Sequence, residues 1–249
     1  MRVGLIGAGN MASALARGWG DPVLCTDAIP ERAQALVAEL GGEAVGSNAE
    51  LARAADVVFL CHKPEQLDAV AAEIDDGEGE AIVSILGGVP LDALRSAYPG
   101  RRVVRLMPNV AVEVGRGVIC MAAESDPPAG VLELLERVAS VERVPERLME
   151  VATAVMGVGP AYVSLFVEAQ VDAAVRLGMP PELAARLATE TAAGTAALLA
   201  ARDHDTLGLR RTVTSPGGST ARGLAALERG GLRSAFQAAA EAVVHGGGR

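Results

Sequence analysis

A chain of 249 residues has room for one large domain or two modest ones, and with half of it hydrophobic but only 2% aromatic, its core has to be aliphatic. A formal net charge of -9 argues against nucleic acid as a partner, although a local site can still oppose the global charge and take an anion. Cys25, Cys61 and Cys120 have neither metal-ligand nor CxxC spacing, so free thiols, no bound metal and a cytoplasmic setting are expected.

In chain order, the first half alternates short apolar runs with amphipathic ones. Strands are expected at residues 2–6, 23–26, 57–61, 81–85, 103–106 and 117–121. No signal peptide is expected, because the strand-like run starts at once. Residues 10–19 place Met11, Ala14, Leu15, Gly18 and Trp19 on one helical face. Pro30 opens a second helix that runs to about Leu40 and closes at Gly41-Gly42. Near-continuous apolar strands between helices predict an α/β Rossmann-type domain, residues 1–145, with a parallel sheet covered on both faces.

Beyond residue 145 the pattern is helical, with runs at 147–177, 181–201, 205–213, 220–229 and 232–244, and a Gly246-Gly247-Gly248 tail that reads as disordered. Residues 146–249 are thus expected to form an all-α domain. The uncharged run 151–167 falls short of the roughly 20 residues a membrane span needs. It also contains Gly157, Gly159, Pro160 and Ser164, so a buried helix kinked at Pro160 is expected, and no membrane partner. From Val151 to Leu177 the only charges are Glu168, Asp172 and Arg176, one narrow stripe on an otherwise apolar helix. A domain of about 100 residues can hardly surround such a helix alone, which predicts an obligate homodimer.

Gly7-Ala8-Gly9-Asn10-Met11-Ala12 fits the G-x-G-x-x-G/A pattern between a strand and a helix. Gly7 permits the tight turn, Gly9 lets a pyrophosphate approach the backbone, and small Ala12 lets helix and strand pack. The free N–H groups and the helix dipole then bind phosphate. Asp27 follows Gly7 by 20 residues, where a carboxylate receives the ribose hydroxyls of a dinucleotide and repels a 2′-phosphate. NADH or NADPH is the expected cofactor, with Asp27 favouring NADH and nearby Arg32 softening that preference. A ligand-free glycine turn, and a helix-capping or turn-forming role for Asp27, are the alternatives. Cys61-His62-Lys63-Pro64 lies at the carboxyl end of a strand, where such sheets bind ligands, and Lys63 is the one lysine among 22 basic residues. Lys63 is expected at the nicotinamide ribose or an anionic group, with a solvated loop position as the alternative. His62, Pro64, Asn48 and Asn109 complete the expected cofactor set.

Thr214-Ser215-Pro216-Gly217-Gly218-Ser219-Thr220 joins two helical runs. Pro and two glycines shape a tight turn that leaves N–H groups free for a carboxylate, with hydroxyls from Ser219 and Thr220. For Ser219 alone, helix capping is an adequate reading.

The stretch VTSPGGSTARGLAALE, residues 213–228, resembles the signature of pyrroline-5-carboxylate reductases. Four further segments resemble that family in the same order: MRVGLIGAGNMASALARG, FLCHKPEQL, RLMPNVAVEVGRG and TAVMGVGPAYVSLFVEAQVDAAVRLGMP. The resemblance implies a Rossmann domain followed by a helical dimerisation domain, in homodimers that often build larger rings. It implies NAD(P)H-dependent reduction of 1-pyrroline-5-carboxylate to L-proline, the last step of proline biosynthesis. It places the substrate carboxylate on the N–H groups of Gly218, Ser219 and Thr220, near Ser215 and Gly217, and the Thr220 hydroxyl on the ring nitrogen, which makes Thr220 the expected catalytic residue. Three positions depart from the pattern. Val158 and Val110 replace the usual Ser and Thr, and Asp27 replaces the neutral or basic residue of NADPH-preferring members.

Three other readings compete. A β-hydroxyacid dehydrogenase would need a lysine on the long helix, which has none. A ketimine reductase acting on another cyclic imino acid would suit a less polar cleft. A non-catalytic dinucleotide-binding protein would not need the intact 215–220 turn. For reduction, the amide cradles around Gly9 and Gly218 have to serve one nicotinamide and one imino acid.

Overall fold

The structure is a computed structural model that describes residues 1–74 and 81–246. It divides into two compact units, Met1–Pro160 and Ala161–Gly246. The first unit opens with β1 (Val3–Ile6), α1 (Asn10–Trp19), β2 (Val23–Thr26), α2 (Pro30–Leu40), β3 (Gly42–Ala44), α3 (Asn48–Ala54) and β4 (Val57–Leu60). A 3-10 turn at Pro64–Gln66 leads into α4 (Leu67–Glu73), β5 (Ala81–Ser84), α5 (Leu91–Ala97) and β6 (Val103–Pro108). After a second 3-10 turn, Val110–Val114, come β7 (Gly117–Ala122), α6 (Ala129–Glu136) and β8 (Ala139–Val144).

These eight strands form one sheet in the order β3-β2-β1-β4-β5-β6-β7-β8. β1, β2, β4 and β5 are buried along their whole length, as their unbroken apolar runs require. Phe59, Leu15 and Trp19 pack on one face of the sheet, and Leu51, Leu60, Leu91 and Leu94 on the other. Trp19 stacks edge-on to Phe59 at 5.2 Å, and its indole N–H donates to the Leu134 carbonyl. Gly18 is a close-approach position: a Cβ there would stand 2.2 Å from the Val112 carbonyl oxygen.

The sheet departs from the all-parallel expectation at one pair, β6 and β7, which run antiparallel. Residues 109–116 are too few for a crossover helix, so the chain can only reverse there. β3 and β8 were not expected either. β3 is three exposed residues at the sheet edge, and β8 alternates half-buried and exposed positions, so neither carries an apolar run.

After β8 the chain is helical, as expected, but its first stretch still belongs to the sheet unit. It comprises a 3-10 turn at Glu146–Leu148, α7 (Met149–Ala152) and a π-turn at Thr153–Gly157. Arg105 on β6, only 4% exposed, anchors this stretch by ion pairs to Glu146 (2.8 Å) and Glu150 (3.3 Å). Glu146 also accepts the Leu91 N–H at the start of α5. The expected kink within one long helix is instead a break. The π-turn ends one segment, and α8 (Gly159–Arg176) begins afresh with Pro160 in its first turn, where a missing N–H costs nothing. The second unit continues with α9 (Pro181–Ala200), α10 (Thr206–Thr212), α11 (Ser219–Arg229) and α12 (Leu232–Gly246). Gly246 therefore ends a helix, while Gly247 and Gly248 of the expected tail lie outside the described residues. By length and composition, Glu146–Arg176 would suffice to cross a membrane. Its apolar residues are nevertheless set on a segment interrupted by a π-turn and a proline.

Candidate active site

The glycine turn follows from the packing of β1 against its neighbours. Gly7 has φ +107°, and a Cβ there would lie 2.7 Å from the Cys61 carbonyl carbon and oxygen, so no other residue fits. Its N–H donates to the Thr26 carbonyl at 2.7 Å, tying the turn to the end of β2. Gly9 differs. Its φ of -73° suits any residue, and a Cβ would meet nothing within 4 Å. Gly9 is the N-cap of α1, with no side chain capping it and no acidic residue in the first turn. The N–H groups of Gly9, Asn10 and Met11 meet no acceptor among the described residues. An open space in front of uncapped donors at the positive end of a helix is what a pyrophosphate requires. Ala8 and Ala12 are buried behind it, as the close helix–strand packing demands.

Asp27, at the end of β2, bridges two backbones. Oδ2 accepts the Ala8 N–H at 2.7 Å and Oδ1 accepts the Ile29 N–H at 2.8 Å. The turn-forming alternative is therefore real, and it also fixes the carboxylate beside the glycine turn. A cleft opens from Ala8, Gly9 and Asn10 between α1 and α2, with Arg32 on its wall and the Arg17–Glu39 ion pair (2.7 Å) farther along. The Arg32 guanidinium is exposed and makes no ion pair among the described residues.

At the end of β4, the His62 backbone nitrogen lies 2.9 Å from where a Gly7 Cβ would be, so the 61–64 loop abuts the glycine turn. His62 Nδ1 sits 2.9 Å from the Lys63 carbonyl, which makes Nδ1 the protonated donor and Nε2 an acceptor. Nε2 is buried without a partner, and burial holds the imidazole below its usual range, hence neutral. Lys63 is exposed just before Pro64 and caps the Pro64–Gln66 turn through its backbone. Two other expected cofactor residues are committed within the protein. Asn48 accepts from the Thr26 hydroxyl and donates to Glu73, both at 2.6 Å. Asn109 donates to the Met156 carbonyl in the π-turn and accepts the Val118 N–H, both at 3.2 Å. They brace the carboxyl ends of β2 and β6.

The second glycine turn precedes α11. Gly217 has φ +71°, and a Cβ on Gly218 would strike the Ser215 hydroxyl at 2.4 Å. Gly218 itself is the N-cap and no side chain caps the helix, so Ser219 is its first residue and not its cap. The turn spends the Gly218 N–H on the Ser215 carbonyl at 3.1 Å. Of the three donors the resemblance implied, those of Ser219 and Thr220 are left open, a narrower set. The Thr220 side chain is half-buried, and its hydroxyl meets no partner among the described residues. Sequence reasoning passed over Arg222, whose Nη1 donates to the Gly217 carbonyl at 2.6 Å.

The thiols are poor nucleophiles. Burial pushes Cys25 up to about 12 and raises Cys61 and Cys120 above the usual thiol range, so all three stay protonated. No group of three or more His, Cys, Asp or Glu able to hold a metal occurs among the described residues.

Residues 146–247 match the family model for pyrroline-5-carboxylate reductase dimerisation, and residues 2–88 match that for coenzyme F420-dependent NADP oxidoreductases. The chain is 40% identical to pyrroline-5-carboxylate reductase of Synechocystis sp., over 76% of this chain and 73% of that one. It is 37% identical to the Mycobacterium leprae enzyme of the same name, over 97% and 94%. The crystal structure of Plasmodium falciparum pyrroline carboxylate reductase with NADP bound superimposes with a TM-score of 0.86, at 28% identity, covering 98% of this chain and 96% of that one. The chain belongs to the pyrroline-5-carboxylate reductase family.

Proposed function

We infer that the protein is an NAD(P)H-dependent reductase that delivers hydride to the imine carbon of 1-pyrroline-5-carboxylate and yields L-proline, the last step of proline biosynthesis. The observation that carries this reading is the uncapped amino end of α11, set in the 213–228 signature of a family whose relatives bear that activity in their names. The first unit's uncapped glycine turn fits a dinucleotide pyrophosphate, and the nicotinamide, when bound, supplies the hydride.

The chemistry asks little of the side chains. An imine carbon accepts hydride readily once its nitrogen is protonated, so the protein has to orient the ring and stabilise the nitrogen side. We assign the substrate carboxylate to the Ser219 and Thr220 N–H groups beside Ser215, on the turn shaped by Gly217 and Gly218. The Thr220 hydroxyl is assigned to the ring nitrogen. No cysteine or histidine is needed as acid or base, in keeping with protonated thiols and a neutral His62.

The protein is a homodimer, as its dimerisation region requires. We further propose that dimers build a larger ring, and that the enzyme works in the cytoplasm, where its three free thiols stay reduced. For the cofactor we propose a preference for NADH, because the Asp27 carboxylate fixed beside Ala8 repels a 2′-phosphate, while exposed Arg32 keeps NADPH usable. Asp27→Ser should then shift kcat/KM toward NADPH by about tenfold, a change of about 1.4 kcal/mol. An unmoved ratio would remove Asp27 from cofactor choice.

The direct test is oxidation of NADH or NADPH by the purified protein on adding pyrroline-5-carboxylate, with L-proline identified as the product. Val110, 47% exposed, and half-buried Val158 replace hydroxyl side chains of the family and make their surroundings less polar. A six-membered cyclic imino acid consumed in place of the five-membered one would transfer the assignment to a ketimine reductase.

A further inference from the structure

We propose that Arg222 is a positioning residue for the substrate carboxylate: it clamps the Gly217 carbonyl and brings a cation to the α11 cradle. The inference rests on the reductase reading above and deepens it. Arg222 Nη1 lies 2.6 Å from the Gly217 oxygen, and its backbone N–H donates to the Gly218 carbonyl at 3.2 Å. One residue therefore holds both glycines of the turn from the helix side. The Gly217–Gly218 peptide sets the direction of the Ser219 and Thr220 N–H groups. Gly217, at φ +71°, has open space where a side chain would stand, so no side-chain packing holds it.

The charge points the same way. A cation near a helix amino end opposes the dipole, and helices usually carry Asp or Glu there. α11 has no acidic residue in its first turn, and Arg222 makes no ion pair among the described residues. Arg233, by contrast, is paired to Glu228 at 2.9 Å on the neighbouring surface. The uncompensated positive end of α11 is consistent with a helix whose counter-charge arrives with the substrate. An arginine clamped to a carbonyl keeps its remaining N–H donors and full charge available to a carboxylate.

The test compares Arg222→Ala, Arg222→Gln and Arg222→Lys with the unaltered dimer, with KM and kcat measured separately for pyrroline-5-carboxylate and cofactor. Tetrahydrofuran-2-carboxylate, a five-membered ring acid that cannot be reduced, serves as competitive probe. For Arg222→Ala, KM for the imino acid and the inhibition constant of the probe should each rise about tenfold, with kcat and the cofactor KM within about twofold. Arg222→Lys, which keeps charge and donor, should recover most of the loss, and Arg222→Gln, which keeps only a donor, less. An unchanged imino-acid KM overturns the proposal, as does an equal rise in cofactor KM. If the alanine variant does not fold, the lysine and glutamine variants decide alone: equal values for the two reject the charge. A wild-type protein with no reductase activity would instead reject the underlying function.

Discussion

Gly7 and Gly9 share a motif but hold their places for different physical reasons, and substituting each by alanine separates the two. At Gly7 an added Cβ would sit 2.7 Å from the Cys61 carbonyl and 2.9 Å from the His62 nitrogen, backbone atoms that cannot swing aside. A φ of +107° adds strain of about 1–3 kcal/mol and the overlap about 1–3 more. At roughly 2–4 °C per kcal/mol for a unit of this size, this total of about 2–6 kcal/mol should lower the Tm of Gly7→Ala by about 4–24 °C. At Gly9 the φ is ordinary and the space empty, so Gly9→Ala loses at most about 1 kcal/mol of N-cap preference, some 2–4 °C. The same methyl would stand where the pyrophosphate has to approach, so the cofactor Kd should rise at least about tenfold. Thermal unfolding at fixed protein concentration, with NADH titration by fluorescence, reads both. If Gly9→Ala binds cofactor like the parent, or unfolds as early as Gly7→Ala, this division of labour is wrong.

Thr220→Ala should lower kcat by at least about tenfold at unchanged Tm, and full turnover would reject its role at the ring nitrogen. Arg105→Leu should cost about 2–3 kcal/mol in urea unfolding, less than a fully buried pair because Glu146 is 25% exposed, whereas Glu150→Ala, at 49% exposure, should cost well under 1. Equal effects would show that Arg105 does not anchor the 146–150 stretch through Glu146. His62 is held below its ordinary 6.5, so the unfolded chain takes up a proton first as pH falls. Its contribution is complete above about pH 6.5 and is lost as pH drops toward the depressed value, with a slope of at most about 1.4 kcal/mol per unit. His62→Gln should flatten that part of the stability profile, and an unaltered profile between pH 5 and about 7 would contradict the burial argument.

How far the fold could be read in advance followed from how strongly each segment was driven. Residues 10–19 and 30–40 form the expected helices because an apolar stripe, Pro30 and closing glycines all agree. β8 escaped notice because a strand half-exposed at the sheet edge needs no apolar run, only a partner, which β7 provides. The reversal at β7 depends on loop length, not on composition. At the site, both glycine turns were legible, since φ +107° at Gly7 and φ +71° at Gly217 demand glycine. What could not be read was the spending of hydrogen bonds. Nothing in the order of residues says that Asn48 and Asn109 are used up as braces, or that the Gly218 N–H closes its own turn while Arg222 reaches back to Gly217.

With the substrate site proposed on α11, dimerisation and substrate binding become one problem in the helical unit. Among its described residues the buried apolar side chains are Ala184, Ala188 and Leu209, while Leu165 is 64% exposed, Phe236 50% and Leu177 90%. Three such residues release far too little free energy, at about 25 cal/mol per Å² of buried surface, to offset the ordering of more than eighty. The missing core has to come from a second copy, as the dimerisation region implies. α11 belongs to this unit and buries none of its own residues, with Leu227 49% exposed. The amide donors of Ser219 and Thr220 can hold a fixed direction only if that helix is held. The proposed carboxylate cradle is then as rigid as the dimer makes it, and a substitution that loosens the apolar surface far from Gly218 is expected to weaken substrate affinity before any site residue is touched.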